Sequence, residues 1–192
     1  MNYCKKSDLL FETIKILDFK PQNLKFHIKR AKVSADEALK FDFESCLDSP
    51  LAGLVRAKAI YDRGGNLKSV EYFAYEMRKF YEFRLVDVDF SYEKKFLDRS
   101  DIDAAKGAFS EIVMIKNGLV TDTSIANLAI FDDGWITPKS PLLRGTTRAR
   151  LLEEGFLRQE DISVQRLLET KRFGIMNAMM GFLELKEFKF TR

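Results

Sequence analysis

The chain has 192 residues, of which 46% are hydrophobic and 32% are charged, and its formal net charge is +3. This length and composition are ordinary for a globular protein with a buried core. The net charge is small and the basic residues alternate with acidic ones, which excludes a typical nucleic-acid-binding surface.

Cysteine and histidine are too scarce for several kinds of site. The two cysteines, Cys4 and Cys46, cannot form a disulfide framework, and with the single His27 they predict no metal site. No apolar run approaches the length of a membrane span, and the first residues, MNYCKKSDLL, do not have the pattern of a secretory signal. We therefore expect a cytoplasmic protein that does not bind membranes.

The first part of the chain, roughly residues 8–90, is predicted to be a small α+β unit. LLFETIKILDF favours a strand and HIKRAKVSADEALKF favours a helix. Two further strands are predicted in LVRAKAIYD and VEYFAYEMRKF. They are separated by RGGNLKS, whose Gly-Gly-Asn is typical of a hairpin turn.

A second unit is predicted to begin near FRLVDVDFS, followed by a helix in DRSDIDAAKGAF. EIVMIKNGLVTDTS and ANLAIFDDGWITP each predict a strand pair, with turns at Asn117-Gly118 and Asp133-Gly134. Helices are expected after LLRGTT and in DISVQRLLETKR, and FGIMNAMMGFLEL predicts one buried strand. The expected domains are residues 1–88, small and N-terminal, and residues 89–192, larger and C-terminal.

The stretch LLRGTTRAR places three arginines at the predicted start of a helix, where the free N–H groups are already partly positive. A glycine followed by two threonines at such a start is suited to binding an anion, and a guanidinium can add a charge-assisted contact. By itself, however, the stretch favours a capped surface helix with solvated arginines, so phosphate binding needs support from elsewhere in the chain.

Four elements of the second half occur in a characteristic order. They are Gly118-Leu119-Val120-Thr121-Asp122, Ala126-Asn127-Leu128, Thr137-Pro138 and Gly145-Thr146-Thr147-Arg148. They resemble the signature of the class IV pyridoxal 5′-phosphate (PLP) aminotransferases, a family that also includes D-amino-acid transaminases and aminodeoxychorismate lyases. Further segments of the chain resemble other elements of that family, namely Phe11-Glu12-Thr13-Ile14, His27-Ile28-Lys29-Arg30, Lys95-Phe96-Leu97-Asp98-Arg99 and Met176-Asn177-Ala178.

The resemblance implies a two-domain α+β fold like that of D-amino-acid aminotransferase, with a truncated small N-terminal domain. It also implies PLP as cofactor, with Lys95 as the catalytic lysine that binds it covalently, and Lys94 as the rival. The remaining cofactor-binding residues implied by the family pattern are Arg30, Thr146 and Thr147 at the phosphate, Asp122 at the pyridine nitrogen in place of the family's glutamate, and Asn177. His27 is expected to be structural.

Two segments favour the lyase branch of the family. Lys-Phe-Leu-Asp-Arg resembles the lyase Lys-x-Leu-Asn-Arg, and Met-Asn-Ala resembles the lyase C-terminal element. The implied reaction is elimination of pyruvate from 4-amino-4-deoxychorismate, a small molecule, to give 4-aminobenzoate for folate synthesis, by a homodimer. The alternatives are a class IV aminotransferase acting on branched-chain or D-amino acids, and an inactive binding protein that kept the fold. The exchange of glutamate for Asp122 and the short N-terminal part are compatible with the inactive protein.

Overall fold

The structure is a computed structural model that describes residues 9–192, so Cys4 lies outside the described residues. These residues pack as two compact units. The first unit contains residues 9–77 and 94–99, and the second contains residues 78–93 and 100–192. The sequence predicted one boundary between residues 88 and 89. In the structure, residues 78–88 pack within the second unit and residues 94–99 pack within the first.

The first unit is a four-stranded antiparallel sheet in the order β2-β1-β3-β4 with two helices. Its elements are β1 (Leu9–Leu17), β2 (Lys20–Pro21), α1 (Leu24–Ser34), α2 (Phe43–Cys46), β3 (Leu54–Asp62) and β4 (Leu67–Ala74). Leu10, Ile14 and Ile16 on alternate positions of β1 are fully buried in the core of this unit.

The predicted hairpin of the first unit is confirmed, whereas two predicted ends are wrong. β3 and β4 flank the turn that contains Gly65, whose φ is +78°. The predicted helix was expected to continue to residue 41, but α1 ends at Ser34. The backbone N–H groups of Asp36 and Glu37 instead donate to the carbonyl of Arg63 in that turn. β4 ends at Ala74, six residues before the predicted end.

The second unit contains a nine-stranded sheet. Seven strands follow the order β10-β9-β8-β7-β6-β5-β13, and β11 pairs with both β8 and β12. Its elements are β5 (Glu82–Asp87), α3 (Ser100–Lys106), β6 (Ile112–Lys116), β7 (Leu119–Thr123), β8 (Asn127–Phe131), β9 (Trp135–Pro138), α4 (Thr146–Glu153), β10 (Leu157–Glu160), α5 (Val164–Glu169), β11 (Phe173–Asn177), β12 (Gly181–Leu185) and β13 (Lys189–Thr191).

Local turn chemistry explains the hairpins of the second unit. Asn117 and Gly118, with φ of 53° and 76°, join β6 to β7, and Asp133 and Gly134 join β8 to β9, as predicted. The single strand predicted in FGIMNAMMGFLEL is wrong, because this segment forms the two strands β11 and β12. Asn177 divides it, since its Oδ1 accepts the backbone N–H groups of Met179 and Met180.

The predicted α+β class is confirmed, because each unit combines helices with a sheet. Within residues 9–192, no helix is both long enough and apolar enough to span a bilayer.

Candidate active site

A buried carboxylate lies at the centre of the first unit. Glu12 lies on the face of β1 that otherwise carries Leu10 and Ile14, and its side chain is fully buried. Arg30 of α1 donates from Nε to Glu12 Oε1 at 2.8 Å and also contacts Oε2 through Nη2. His27, one helical turn earlier on the same face, lies with Nδ1 2.6 Å from Oε2. Glu12 therefore joins α1 to β1 through two side chains.

This cluster has a defined charge state. Burial alone would raise the pKa of Glu12, but the charge of Arg30 and the hydrogen bonds from His27 and Arg30 together lower that pKa to about 2. Burial lowers the pKa of His27 below its usual 6.5, despite the nearby carboxylate. At neutral pH we therefore expect ionised Glu12, neutral His27 and cationic Arg30. The single buried anion is shared by two donors.

The backbone around Lys95 pairs with the beginning of β1. The N–H of Phe11 donates to the carbonyl of Lys95 at 3.0 Å, and the N–H of Leu97 donates to the carbonyl of Leu9 at 2.8 Å. This pairing fixes Lys95 beside the strand that carries Glu12. Its Nζ lies 4.4 Å from the centroid of the Phe11 ring, and no hydrogen-bond or ion-pair partner for Nζ is found among residues 9–192.

The surroundings of Lys95 favour the neutral amine. Burial is the largest cause, and the positive charges of Arg30 and Arg99 add to it. These effects outweigh the opposite influence of Glu12 and lower the pKa of Lys95 to about 7. Only an unprotonated amine can attack a carbonyl carbon or accept a proton, so Lys95 can do either near neutral pH.

Lys94, the rival candidate, has a different environment. Its Nζ donates to Asp36 Oδ1 at 2.8 Å, and Arg63 forms an ion pair with the other oxygen of the same carboxylate. The amine of Lys94 is therefore already occupied by an acid on the surface. Of the two neighbouring lysines, Lys95 is therefore the candidate for amine chemistry, because its amine is buried and that of Lys94 pairs with an acid.

The titration of Lys95 offers a direct test of this environment. In PLP-free protein labelled with ¹³C at lysine Cε, we expect one signal to titrate near pH 7, and we expect Lys95→Arg to remove it. Arg30→Gln should raise that midpoint, because the charge of Arg30 is one of the causes that lower it. A midpoint near 10.5 in the wild-type protein would contradict the buried position of the amine.

Asp122 is the buried acid of the second unit. It lies on β7 with 4% of its surface exposed. Its Oδ1 accepts from Asn127 Nδ2 at 2.6 Å, and its Oδ2 accepts from the backbone N–H of Leu143 at 2.8 Å. Burial raises the pKa of Asp122 to about 7, because these bonds and the charge of Arg148 only partly offset it. A cationic partner would return this carboxyl to its ionised form.

The glycine and two threonines that were predicted to bind an anion lie at the start of α4. Gly145 is the N-cap residue and provides no side-chain hydrogen bond to the first N–H groups of the helix. Thr146 and Thr147, the next two residues, are each 5% exposed. An α-helix leaves its first N–H groups without partners inside the helix, so these donors are suited to a phosphate.

The arginines around this turn have separate roles. Arg148 is buried and donates from Nη2 to the carbonyl of Pro138 at 2.8 Å and to Gln159 Oε1 at 2.9 Å, which links β9 to β10. Arg150 forms an ion pair with Glu154, the residue that follows the last turn of α4. Arg144 is exposed. Most of the positive charge in LLRGTTRAR therefore serves the protein's own packing.

Asn177 uses its amide locally. Its Oδ1 closes the turn between β11 and β12, and its Nδ2 donates to the carbonyl of Ile125 at 3.3 Å. A role for Asn177 in cofactor binding stays a prediction.

Sequence reasoning assigned no role to two residues that organise these clusters, Glu12 and Asn127. Glu12 had a detectable signal, since it is an acid at a position of a strand that otherwise carries apolar residues, and such acids are buried only when they are paired. For Asn127 the sequence contained no such signal beyond its place in the family motif, because its hydrogen-bond partners lie 5 to 18 residues away in sequence.

Gly145 is required for close packing. A Cβ built there would lie 2.0 Å from Asn127 Oδ1, although the backbone at this residue has an ordinary φ of −68°. We expect Gly145→Ala to destabilise the protein by about 1–3 kcal/mol, as overpacking does. Urea denaturation measures this, with Gly64→Ala as control, where the nearest atoms would lie 3.3 Å from the new Cβ. Equal effects of the two substitutions would contradict the packing argument.

The groups present fit PLP. The first unit supplies an amine with a pKa of about 7 and the partly buried cation Arg30. The second unit supplies a buried carboxyl for a pyridine nitrogen and a helix start for a phosphate. Residues 9–192 contain no group of three or more histidine, cysteine, aspartate or glutamate side chains arranged to hold a metal ion.

Comparisons with known proteins identify the family of the chain. Residues 97–188 match the family model described as amino-transferase class IV. A relative from Haemophilus influenzae, named an uncharacterized protein, is 38% identical, covering 90% of this chain and 98% of the relative.

Two solved structures are informative. A "putative 4-amino-4-deoxychorismate lyase" from Haemophilus somnus 129PT is 31% identical over 91% of this chain and 98% of that chain, with a TM-score of 0.78. A hypothetical aminotransferase from Mycobacterium tuberculosis, solved in a PLP-bound form, shares the fold. Its TM-score is 0.75 and its identity 16%, over 95% of this chain and 81% of that one. The fold and the resemblance predicted from the sequence are confirmed, and the chain belongs to the class IV aminotransferase family, whose enzymes depend on PLP.

Proposed function

We propose that this protein is a PLP-dependent 4-amino-4-deoxychorismate lyase, which releases pyruvate and forms 4-aminobenzoate, a precursor of folate. The observation that carries the proposal is the environment of Lys95, whose amine is buried, unpaired among the described residues and lowered in pKa to about 7. Support for this particular reaction comes from the lyase-like segment Lys95–Arg99 and from the 31% identity to the H. somnus chain.

In the first unit, Lys95 would hold the cofactor covalently, and Arg30 would contact its phosphate. Glu12 occupies Nε and Nη2 of Arg30, whereas Nη1 has no hydrogen-bond partner among residues 9–192. One edge of the guanidinium is thus held by the protein, and Nη1 remains to donate to an anion. Glu12 would keep the guanidinium oriented for this contact.

In the second unit, the backbone N–H groups and hydroxyls of Thr146 and Thr147 would bind phosphate, and Asp122 would face the pyridine nitrogen. Bound PLP supplies an electron sink for the bond that breaks. Asp122 is shorter than the family's glutamate, but hydrogen bonds to both of its oxygens fix its position.

The proton transfers of the lyase reaction suit a neutral amine. Lys95, once its Nζ is free, would remove the proton from the ring carbon that bears the substrate's amino group. The electron pair of that C–H bond completes the aromatic ring, and the bond from the neighbouring ring carbon to the enolpyruvyl oxygen breaks. The leaving group takes a proton at its methylene carbon and departs as pyruvate, so the products contain all the atoms of the substrate.

Product analysis tests the proposal. The PLP-loaded protein is incubated with 4-amino-4-deoxychorismate, and pyruvate and 4-aminobenzoate are measured together. We expect equal amounts of the two products. Glutamate formed from 2-oxoglutarate and branched-chain or D-amino acids, without pyruvate release from 4-amino-4-deoxychorismate, would overturn the lyase in favour of an aminotransferase. No turnover in either assay, with PLP bound, would favour a binding protein.

A further inference from the structure

The side chain of Asn127, the first residue of β8, connects two parts of the second unit. Its Nδ2 donates to Asp122 Oδ1 at 2.6 Å and to the carbonyl of Leu143 at 2.8 Å, and its Oδ1 accepts from the N–H of Gly145 at 3.1 Å. The N–H of Leu143 in turn donates to Asp122 Oδ2 at 2.8 Å. One buried amide therefore contacts the acid and both ends of the segment 143–145, which leads into α4.

We infer that Asn127 is a positioning residue that fixes the Asp122 carboxylate and the start of α4 as one assembly. The inference rests on the proposed function for the roles of Asp122 and the α4 turn towards PLP. If both groups contact one rigid ligand, their separation must match that ligand closely. Asn127 sets this separation because it binds both.

The chemistry of the amide suits this task. A carboxylate buried to 4% exposure stays in one orientation only if both oxygens are held, and a donor to its ionised form favours that form. An amide donates and accepts at once, whereas aspartate at this position would only accept when ionised. Gly145 lacks the Cβ that would lie 2.0 Å from Asn127 Oδ1, so the absence of a side chain there lets the amide approach.

The first test measures Asp122 without cofactor or activity. The carboxyl of Asp122 is titrated by ¹³C NMR in PLP-free protein, with the signal assigned by its loss in Asp122→Asn. Asn127→Ala should move the midpoint upward by about one pH unit, because a hydrogen bond to the charged form is lost. Arg148 is the other charged group that acts on Asp122, and it is unchanged in the variant. An unmoved midpoint would overturn the inference.

The matched control is Thr121→Val. Thr121 precedes Asp122 on β7, so its side chain lies on the opposite face of the strand, and its hydroxyl donates to the carbonyl of Met114 at 2.8 Å. This nearly isosteric change also removes one buried hydrogen bond, but it leaves the Asp122 carboxyl untouched. The midpoint of Asp122 and the affinity for PLP should stay at wild-type values.

The second test is a double-mutant cycle on PLP affinity, followed by fluorescence quenching. Asn127→Ala should weaken PLP binding about 10- to 100-fold, the range for a lost hydrogen bond to a charged group. In the Asp122→Asn background the same change should weaken binding much less, because part of its effect passes through Asp122. Equal losses in both backgrounds would overturn the inference.

A variant that does not fold and a protein that binds no PLP each have a separate measurement. If Asn127→Ala does not fold, Asn127→Asp replaces it in both tests, since it keeps the shape and the acceptor for Gly145. In Asn127→Asp, the second carboxylate should raise the titration midpoint of Asp122 further than the alanine substitution would. If wild-type protein binds no PLP, the proposed function fails, while the NMR titration still decides whether Asn127 positions Asp122.

Discussion

Replacing Lys95 with alanine should lower the rate of pyruvate release by about 10³-fold or more, since general acid–base catalysis alone contributes about 10²- to 10⁴-fold. The variant loses the amine that is buried beside Phe11 and lowered in pKa to about 7. After borohydride reduction, tandem mass spectrometry should find the cofactor mass on Lys95 in the wild-type protein and on no residue in Lys95→Ala.

Lys94→Ala is the matched control for this experiment. Lys94 is the adjacent residue in sequence, and its amine pairs with Asp36 at the surface. Loss of an exposed ion pair costs about 0–1 kcal/mol, so activity and labelling at Lys95 should persist. Cofactor mass on Lys94 in the wild-type protein would contradict the assignment of Lys95, even if Lys95→Ala were inactive.

Glu12→Gln should destabilise the protein by about 3–5 kcal/mol at pH 7, the usual cost of removing one partner from a buried ion pair. Glu12 is fully buried, and it receives hydrogen bonds from both His27 and Arg30. The substitution keeps the shape of the side chain but leaves Arg30, only 13% exposed, without its counter-charge. Urea denaturation measures the loss in free energy of unfolding.

The pH dependence of this effect has a definite sign. The folded pKa of Glu12 is about 2, below the ordinary value of 4.5. Its contribution is therefore complete above pH 4.5 and is lost as pH falls towards 2. The stability difference between wild type and Glu12→Gln should consequently shrink as the pH falls from 4.5 towards 2. A difference that stayed constant over this range would show that Glu12 acts by packing rather than by charge.

Glu37→Gln provides the control. Glu37 forms an ion pair with Lys40, and the two side chains are 64% and 53% exposed. Water screens such a pair, so its removal should change stability by about 1 kcal/mol or less. If Glu37→Gln lowered the free energy of unfolding as much as Glu12→Gln, burial would not determine how much stability is lost with an ion pair.

The turns show what could be predicted from short stretches. Asn117-Gly118 and Asp133-Gly134 form hairpins because these residues readily adopt the positive φ that a tight turn requires. α1, by contrast, ends at Ser34 although its sequence favours a longer helix. The competing acceptor, the carbonyl of Arg63, belongs to a turn 27 residues after its donor Asp36, and a local pattern contains no information about it.

The candidate site likewise has features that the sequence predicted and features that depend on the folded structure. The order of the motifs indicated the family, the cofactor and the candidate residues Lys95, Arg30 and Asp122, and the family and cofactor are confirmed while the residue roles remain proposals. Which of two adjacent lysines has a buried amine and which pairs with an acid could not be determined from their spacing. That difference follows from the packing of the folded chain.

By itself, the sequence determined the local turns, the α+β class and the chemical types of the groups available, because each depends on residue identity over a few positions. Only the tertiary structure decided how those groups are held. Glu12 binds Arg30 across 18 residues, and Leu143 binds Asp122 across 21. Hydrogen bonds and electrostatic effects act over a few ångströms of space, and distance in space is set by the packing of the chain.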